Sequence, residues 1–313
     1  MEQSARIYVA GHHGLIGSAL KRCLRAASYT NLLLREHSQL ELTDQIAVER
    51  FFQEHRPEYV LLAAGRVGGI AENQSYPADF MNANLAIQLN VMRSAQRASV
   101  RKLIFFGSSC MYPRECLQPM PESFLLTGKP EPTSLAYAVS KFSGVQMCLA
   151  YNQQYGAKVF IPVIPNSTYG PNDDFDLKSG HVLSALIRRF HEAKAAGAES
   201  LTLWGSGNPR REFIHADDVA RACLWILQRD IRDVDLPMNI GVGKDYSIKD
   251  LAEIIAGVVG YRGRIGWDTG KPDGAPRKLL DSTRLQALGW RPAIELREGL
   301  ENTYEWYLSN AAR

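Results

Sequence analysis

Arg6-Ile7-Tyr8-Val9-Ala10-Gly11-His12-His13-Gly14-Leu15-Ile16-Gly17 is the stretch that decides the fold class. Ile7 to Ala10 is a short apolar run of strand length, it ends in a glycine-rich turn, and Leu15 to Ala26 carries helical spacing. Glycine lets the backbone turn tightly and approach a pyrophosphate, whose charge the N-terminus of the following helix stabilises. A glycine-rich turn alone is common in α/β proteins. Its place here, with a strand before it and a helix after it, makes it a nucleotide loop.

The same alternation continues outward. Leu32-Leu33-Leu34, Tyr59 to Ala64 and Lys102 to Phe106 read as further strands, while Asp44 to His55, Asp79 to Ser99 and Tyr137 to Tyr155 read as helices. The strands are continuous apolar runs without polar alternation, which predicts a parallel sheet covered on both faces. The expected class is therefore α/β, a doubly wound parallel sheet of the Rossmann kind. After about residue 165 prolines and glycine turns interrupt the pattern, with a helix over Ile248 to Val259. We expect a dinucleotide-binding domain over 1–165, with later segments returning to it, and a smaller lobe over 166–313 that mainly binds substrate.

Composition excludes several other classes. In 313 residues, 45% are hydrophobic and 22% charged, as in an ordinary globular protein. A net charge of +3 with scattered basic residues argues against a nucleic-acid partner. No apolar run approaches the roughly 20 residues of a membrane span, and the N-terminus runs straight into a strand, leaving no room for a signal peptide. The five cysteines form no CxxC pair, so neither a disulfide framework nor a metal site is expected. A cytoplasmic setting follows.

Two regions carry acid–base chemistry. Tyr137-Ala138-Val139-Ser140-Lys141 begins the long helix and puts phenol and ammonium on one face, four residues apart. A phenol that ionises near pH 10 must exchange a proton near pH 7, a gap worth roughly 4 kcal/mol, and a nearby ammonium supplies part of it. Gly107-Ser108-Ser109-Cys110-Met111-Tyr112-Pro113 ends the fourth strand, at the carboxyl edge where such sheets bind ligands. Ser108 can align a substrate carbonyl or hydroxyl with Tyr137. At the end of the second strand Glu36 can accept from a ribose 2′-hydroxyl, as NAD requires. Arg35, His37 and His13 can instead hold the 2′-phosphate of NADP. NADP(H) is favoured and NAD(H) stays open. Asp44 is placed to bond the adenine, and Ala63 and Ala64 to pass close to the cofactor.

Together with Gly11–Gly17, whose GxxGxxG spacing is that of short-chain dehydrogenases, these motifs resemble the extended short-chain dehydrogenase/reductases of the GDP-fucose synthase family. Further on, Trp204-Gly-Ser-Gly207, Arg211-Glu-Phe-Ile-His215 and Lys271-Pro-Asp-Gly-Ala-Pro-Arg-Lys-Leu-Leu-Asp281 extend the likeness over nearly the whole chain. The resemblance implies a 3,5-epimerase and 4-reductase of a GDP-4-keto-6-deoxy sugar. It also implies Cys110 and His181 as epimerising acid and base, and Leu15, Ile16 and Ser167 beside the cofactor. Arg189, Trp204, Arg211 and Asp273 fall to the nucleotide sugar, and the chain is implied to form a homodimer. The chain departs from the family pattern at His13 and His37, where arginines are usual. It also has Asn166 one step early, and an acidic Asn172–Lys178 run. The rivals are a 4-reductase or 4-epimerase of another nucleotide sugar, and a non-catalytic cofactor sensor.

Overall fold

The computed structural model describes residues 1–156, 158–177, 179–231, 236–271 and 273–311, so Lys178 of the acidic run and Pro272 of the Lys271–Asp281 motif lie outside the described residues. In chain order the elements are β1 (Ile7–Ala10), α1 (Leu15–Ala26), β2 (Leu32–Leu33), α2 (Gln45–His55), β3 (Tyr59–Leu62), α3 (Ile70–Ser75), α4 (Pro77–Arg97) and β4 (Lys102–Phe106). Then follow α5 (Leu135–Tyr155), β5 (Phe160–Pro165), β6 (Ser167–Tyr169), α6 (Val182–Ala195), β7 (Ser200–Trp204), β8 (Arg210–His215) and α7 (Ala216–Leu227). The chain closes with β9 (Met238–Ile240), β10 (Asp245–Ser247), α8 (Ile248–Val259), β11 (Arg264–Asp268), β12 (Arg277–Lys278), α9 (Thr283–Ala287) and α10 (Leu296–Asn310).

Six strands in the order β2-β1-β3-β4-β5-β9, all parallel, form the central sheet. Strand parity divides the core. Ile7, Val9, Leu61, Ile104, Phe106 and Val163 face α1 and α7, where Leu20, Leu24, Val219 and Ile226 meet them. Tyr8, Val60, Leu62, Leu103 and Phe105 face α2, α4 and α5 through Phe52, Val91, Met92 and Val145. With apolar residues on both faces, the strands need no polar alternation. The strand that follows β1, β2, lies on one side of it and β3 on the other, so the chain reverses direction there and opens a crevice at the carboxyl end of β1.

The rest is built on β8. It pairs with β6 and β12 in parallel and with β10 antiparallel, while β7 and β11 form a separate two-stranded sheet. Tyr169, Leu186, Phe190, Phe213, Leu251, Ile255 and Leu300 pack a third core under α6, α8 and α10. These strands run two to six residues between turns, too short for sequence periodicity to reveal. Element boundaries shift slightly from expectation: α4 starts at Pro77, a ring already shaped for a first helical turn, and stops before Ser99, which adopts positive φ.

Candidate active site

The glycine loop is shaped by close packing. At Gly11, φ is +79°, and an added Cβ would come within 2.8 Å of the Ala64 amide nitrogen, so Ala63 and Ala64 pass against the loop. A Cβ on Gly17 would collide with the Gly11 carbonyl. Gly14 is exposed, and a Cβ there meets only that carbonyl, at 3.6 Å. Gly14 also caps α1 without any side-chain bond, and no acidic residue occupies the first turn beside Leu15 and Ile16. The buried Nδ1 of His12 has no hydrogen-bond partner. A bare helix end, an open cradle and an orphaned imidazole nitrogen fit a dinucleotide's diphosphate.

At the end of β2 the charges are already engaged with one another. His13 Nε2 stands 3.5 Å from Glu36 Oε1, and His37 Nε2 2.6 Å from Glu41 Oε2. The Arg35 guanidinium donates to the Leu34 carbonyl at 2.9 Å and to His55 Nε2 at 2.9 Å, and it lies over the Phe51 ring. Asp44 serves first as a helix cap: its Oδ1 accepts from the Ile46 and Ala47 amides.

Ser108, in extended backbone just past β4, accepts from the Cys110 amide at 3.2 Å. Its hydroxyl also hydrogen-bonds the Tyr137 phenol and the Cys110 thiol. One turn along α5 from Tyr137, Lys141 donates to the Phe106 carbonyl at 3.0 Å, with its ammonium 6.0 Å from the centre of the Tyr137 ring. Burial pushes the Tyr137 phenol up, and negative charge on Cys110 adds to this against the Ser108 bond. Burial pushes Lys141 down to about 8.

Cys110 behaves in the opposite way. Burial raises its thiol, but the Lys278 ammonium, 3.8 Å from Sγ, together with bonds from Ser108, Ser134 and Lys278 brings it below the ordinary thiol value. Arg211 feels the charge of Cys110 and of Glu131, and its Nη2 lies 3.1 Å from where a Cβ on Gly274 would sit. Ser108, Cys110, Tyr137, Lys141 and Arg211 are thus gathered around one crevice. An aligned hydroxyl, a thiol held toward its ionised form, a phenol and two cations can move protons at a carbonyl and hold an anionic ligand.

The remaining candidates lie on or beside β6, α6 and β7 and in the loop after β11. Trp204 is 65% exposed, with Arg189 and Lys271 at 5.4 and 5.5 Å from its ring centre, an open stacking face between two cations. Asp273 accepts from the Ser206 amide at 2.9 Å and hydroxyl at 2.6 Å, so its carboxylate first holds a turn. His181 is exposed at the N-terminus of α6, close to Asp173. Ser167 lies at the start of β6, while the preceding Asn166 turns inward to donate to Glu212 at 2.5 Å. Glu212 is wholly buried and also accepts from the Val242, Gly243 and Leu280 amides, tying three loops together.

Sequence reading missed Lys278 and Ser134, which set the state of the thiol. Lys278 stood inside the quoted Lys271–Asp281 motif. Its one signal was a lysine two positions after Pro276 in that motif.

A parallel sheet with a glycine loop, a serine after β4 and a Tyr-x-x-x-Lys helix defines an extended short-chain dehydrogenase/reductase. The model of the NAD dependent epimerase/dehydratase family matches residues 7–241, and this chain belongs to that family. It is 51% identical to GDP-L-fucose synthase 1 of Arabidopsis thaliana over 99% of this chain and 95% of that protein. It is 46% identical to the GDP-L-fucose synthase of Escherichia coli (strain K12), covering 98% of each. Among solved structures it superposes with a TM-score of 0.90 on a GDP-mannoheptose C4 reductase from Campylobacter jejuni with NADP bound, at 38% identity, covering 98% of this chain and 99% of that one.

Proposed function

We propose that this chain is a 3,5-epimerase and 4-reductase of a GDP-4-keto-6-deoxy sugar, working with NADP(H). The observation that carries the reading is the Cys110 thiol held by Lys278 and Ser108 against Tyr137, in a chain whose relatives over nearly its full length are GDP-L-fucose synthases. Residues 1–165 would mainly hold the cofactor and 166–313 the sugar nucleotide.

A carbon beside a ketone loses a proton because the oxygen stores the charge as an enolate. The Cys110 thiolate takes such a proton, and His181 returns one from the opposite face, inverting the centre. Arg211 faces the diphosphate and Arg189 with Trp204 the base. When bound, the reduced nicotinamide supplies a hydride equivalent for C4. Tyr137 donates its proton to the C4 oxygen, Ser108 holds that oxygen, and Lys141 holds the nicotinamide ribose and restores charge balance. A homodimer through α4 and α5 is supported by Leu89, Val139 and Tyr155, exposed on those helices. The five free cysteines suit a reducing cytoplasm.

A second reading, a 4-reductase without epimerisation, is favoured by the high overlap with the C4 reductase. Incubating the protein with GDP-4-keto-6-deoxymannose and NADPH in deuterium oxide separates them. Reduction with ring deuteration supports the first reading, and reduction without it supports the second. No oxidation of NADPH on any GDP-4-keto sugar would sink both.

A further inference from the structure

We infer that the Glu36 carboxylate sets how this chain discriminates between NADPH and NADH, and keeps that discrimination shallow. The inference rests on the dehydrogenase reading of the glycine loop.

A 2′-phosphate brings about two negative charges to the end of β2, whereas a 2′-hydroxyl brings none and needs an acceptor. Strong discrimination for the phosphate therefore requires cations free to reach it and no carboxylate beside it. The structure meets neither condition. Of the three cationic side chains there, His13 faces Glu36 and His37 faces Glu41. Arg35 is drawn back to the Leu34 carbonyl and to His55. That contact turns the Arg35 guanidinium away from the end of β2. Two carboxylates thus stand among groups of which Arg35 alone carries a fixed positive charge.

Glu36 is also built to be an acceptor. Its amide donates to Gln39 Oε1 at 3.1 Å, and its carbonyl accepts from the Gln39 and Leu40 amides at 2.9 and 3.0 Å. The backbone is thereby held while the exposed carboxylate projects toward His13, across the mouth of the glycine loop. A 2′-hydroxyl arriving there finds an oxygen ready to accept. A 2′-phosphate meets like charge, and can be held only if His13 leaves Glu36 for it.

The test is binding of NADPH and of NADH to the full chain, followed by nicotinamide fluorescence without sugar, in the native protein and in Glu36→Gln. The expected native preference for NADPH is below about thirty-fold, and Glu36→Gln raises it about five-fold or more by tightening NADPH and weakening NADH. His37→Arg, which adds a fixed charge without touching the carboxylate, also raises the preference but leaves NADH affinity in place. A native preference above that level, or a ratio that Glu36→Gln does not move, overturns the inference alone. Failure of both nucleotides to bind the native chain overturns it together with the dehydrogenase reading.

Discussion

The ammonium of Lys278 stands 3.8 Å from the sulfur of Cys110 and, with bonds from Ser108 and Ser134, offsets the effect of burial on the thiol. Burial in apolar surroundings pushes a thiol toward its protonated, unreactive form, whereas a facing ammonium favours the thiolate. The same crevice pushes the Tyr137 phenol up and Lys141 down to about 8. One site therefore keeps a base and a proton donor side by side.

Lys278→Met removes the charge that lowers Cys110 and leaves the burial that raises it. The thiolate fraction falls at pH 7, and the rising limb of the pH profile moves to higher pH. Deuterium incorporation into the sugar ring is expected to slow at least about ten-fold at neutral pH. Iodoacetamide labelling of the Cys110 peptide, read by mass spectrometry, must slow in parallel. Labelling as fast as in the native protein would show that Lys278 does not govern the thiol.

Tyr137→Phe removes the proton donor while leaving the thiol in place. Reduction followed by NADPH absorbance should fall about 10²- to 10⁴-fold, with ring deuteration retained. Reduction at the native rate in this variant would refute the assigned role.

Burying Lys141 has a cost that depends on pH. Its folded value, about 8, lies below its unfolded one, so between these two values the unfolded chain binds more protons and native stability rises with pH. Lys141→Met relieves up to about 3 kcal/mol at pH 7, against about 1 kcal/mol for the lost bond to the Phe106 carbonyl. Urea titrations should find the variant more stable than the native chain at pH 7 and the advantage shrinking by pH 10, with activity lost at both. An advantage independent of pH would contradict the burial argument.

Gly17 and Gly14 of the loop should fail in different ways. Gly17→Ala drives a methyl into the Gly11 carbonyl and is expected to destabilise the fold by about 1–3 kcal/mol. Gly14→Ala meets nothing closer than 3.6 Å, so its melting temperature should stay near native. Its methyl instead stands where a diphosphate approaches, and nucleotide affinity should drop. Equal loss of stability in both variants would mean that the loop has been misread.

The fold was legible where chemistry is local. Gly11 to Gly17 sit between a strand and a helix within twelve residues, and Tyr137 and Lys141 share a face by helical period alone. The thiol's environment was not, because Cys110 and Lys278 are separated by 168 positions and β12 is only two residues long. Arg35 stands out in the sequence as a cation just past the second strand, but no spacing rule foretells that His55, twenty positions on, takes its guanidinium. For Asp44 the chain places one carboxylate oxygen on the end of α2, a local use that competes with any distant one.

Lys278 hangs on the Glu212 hub through neighbouring Leu280, and the same buried carboxylate also holds Asn166, Val242 and Gly243. The charge that faces the Cys110 sulfur is therefore anchored by segments far from it along the chain. Loosening that one carboxylate would reach the thiol without altering any group that touches it.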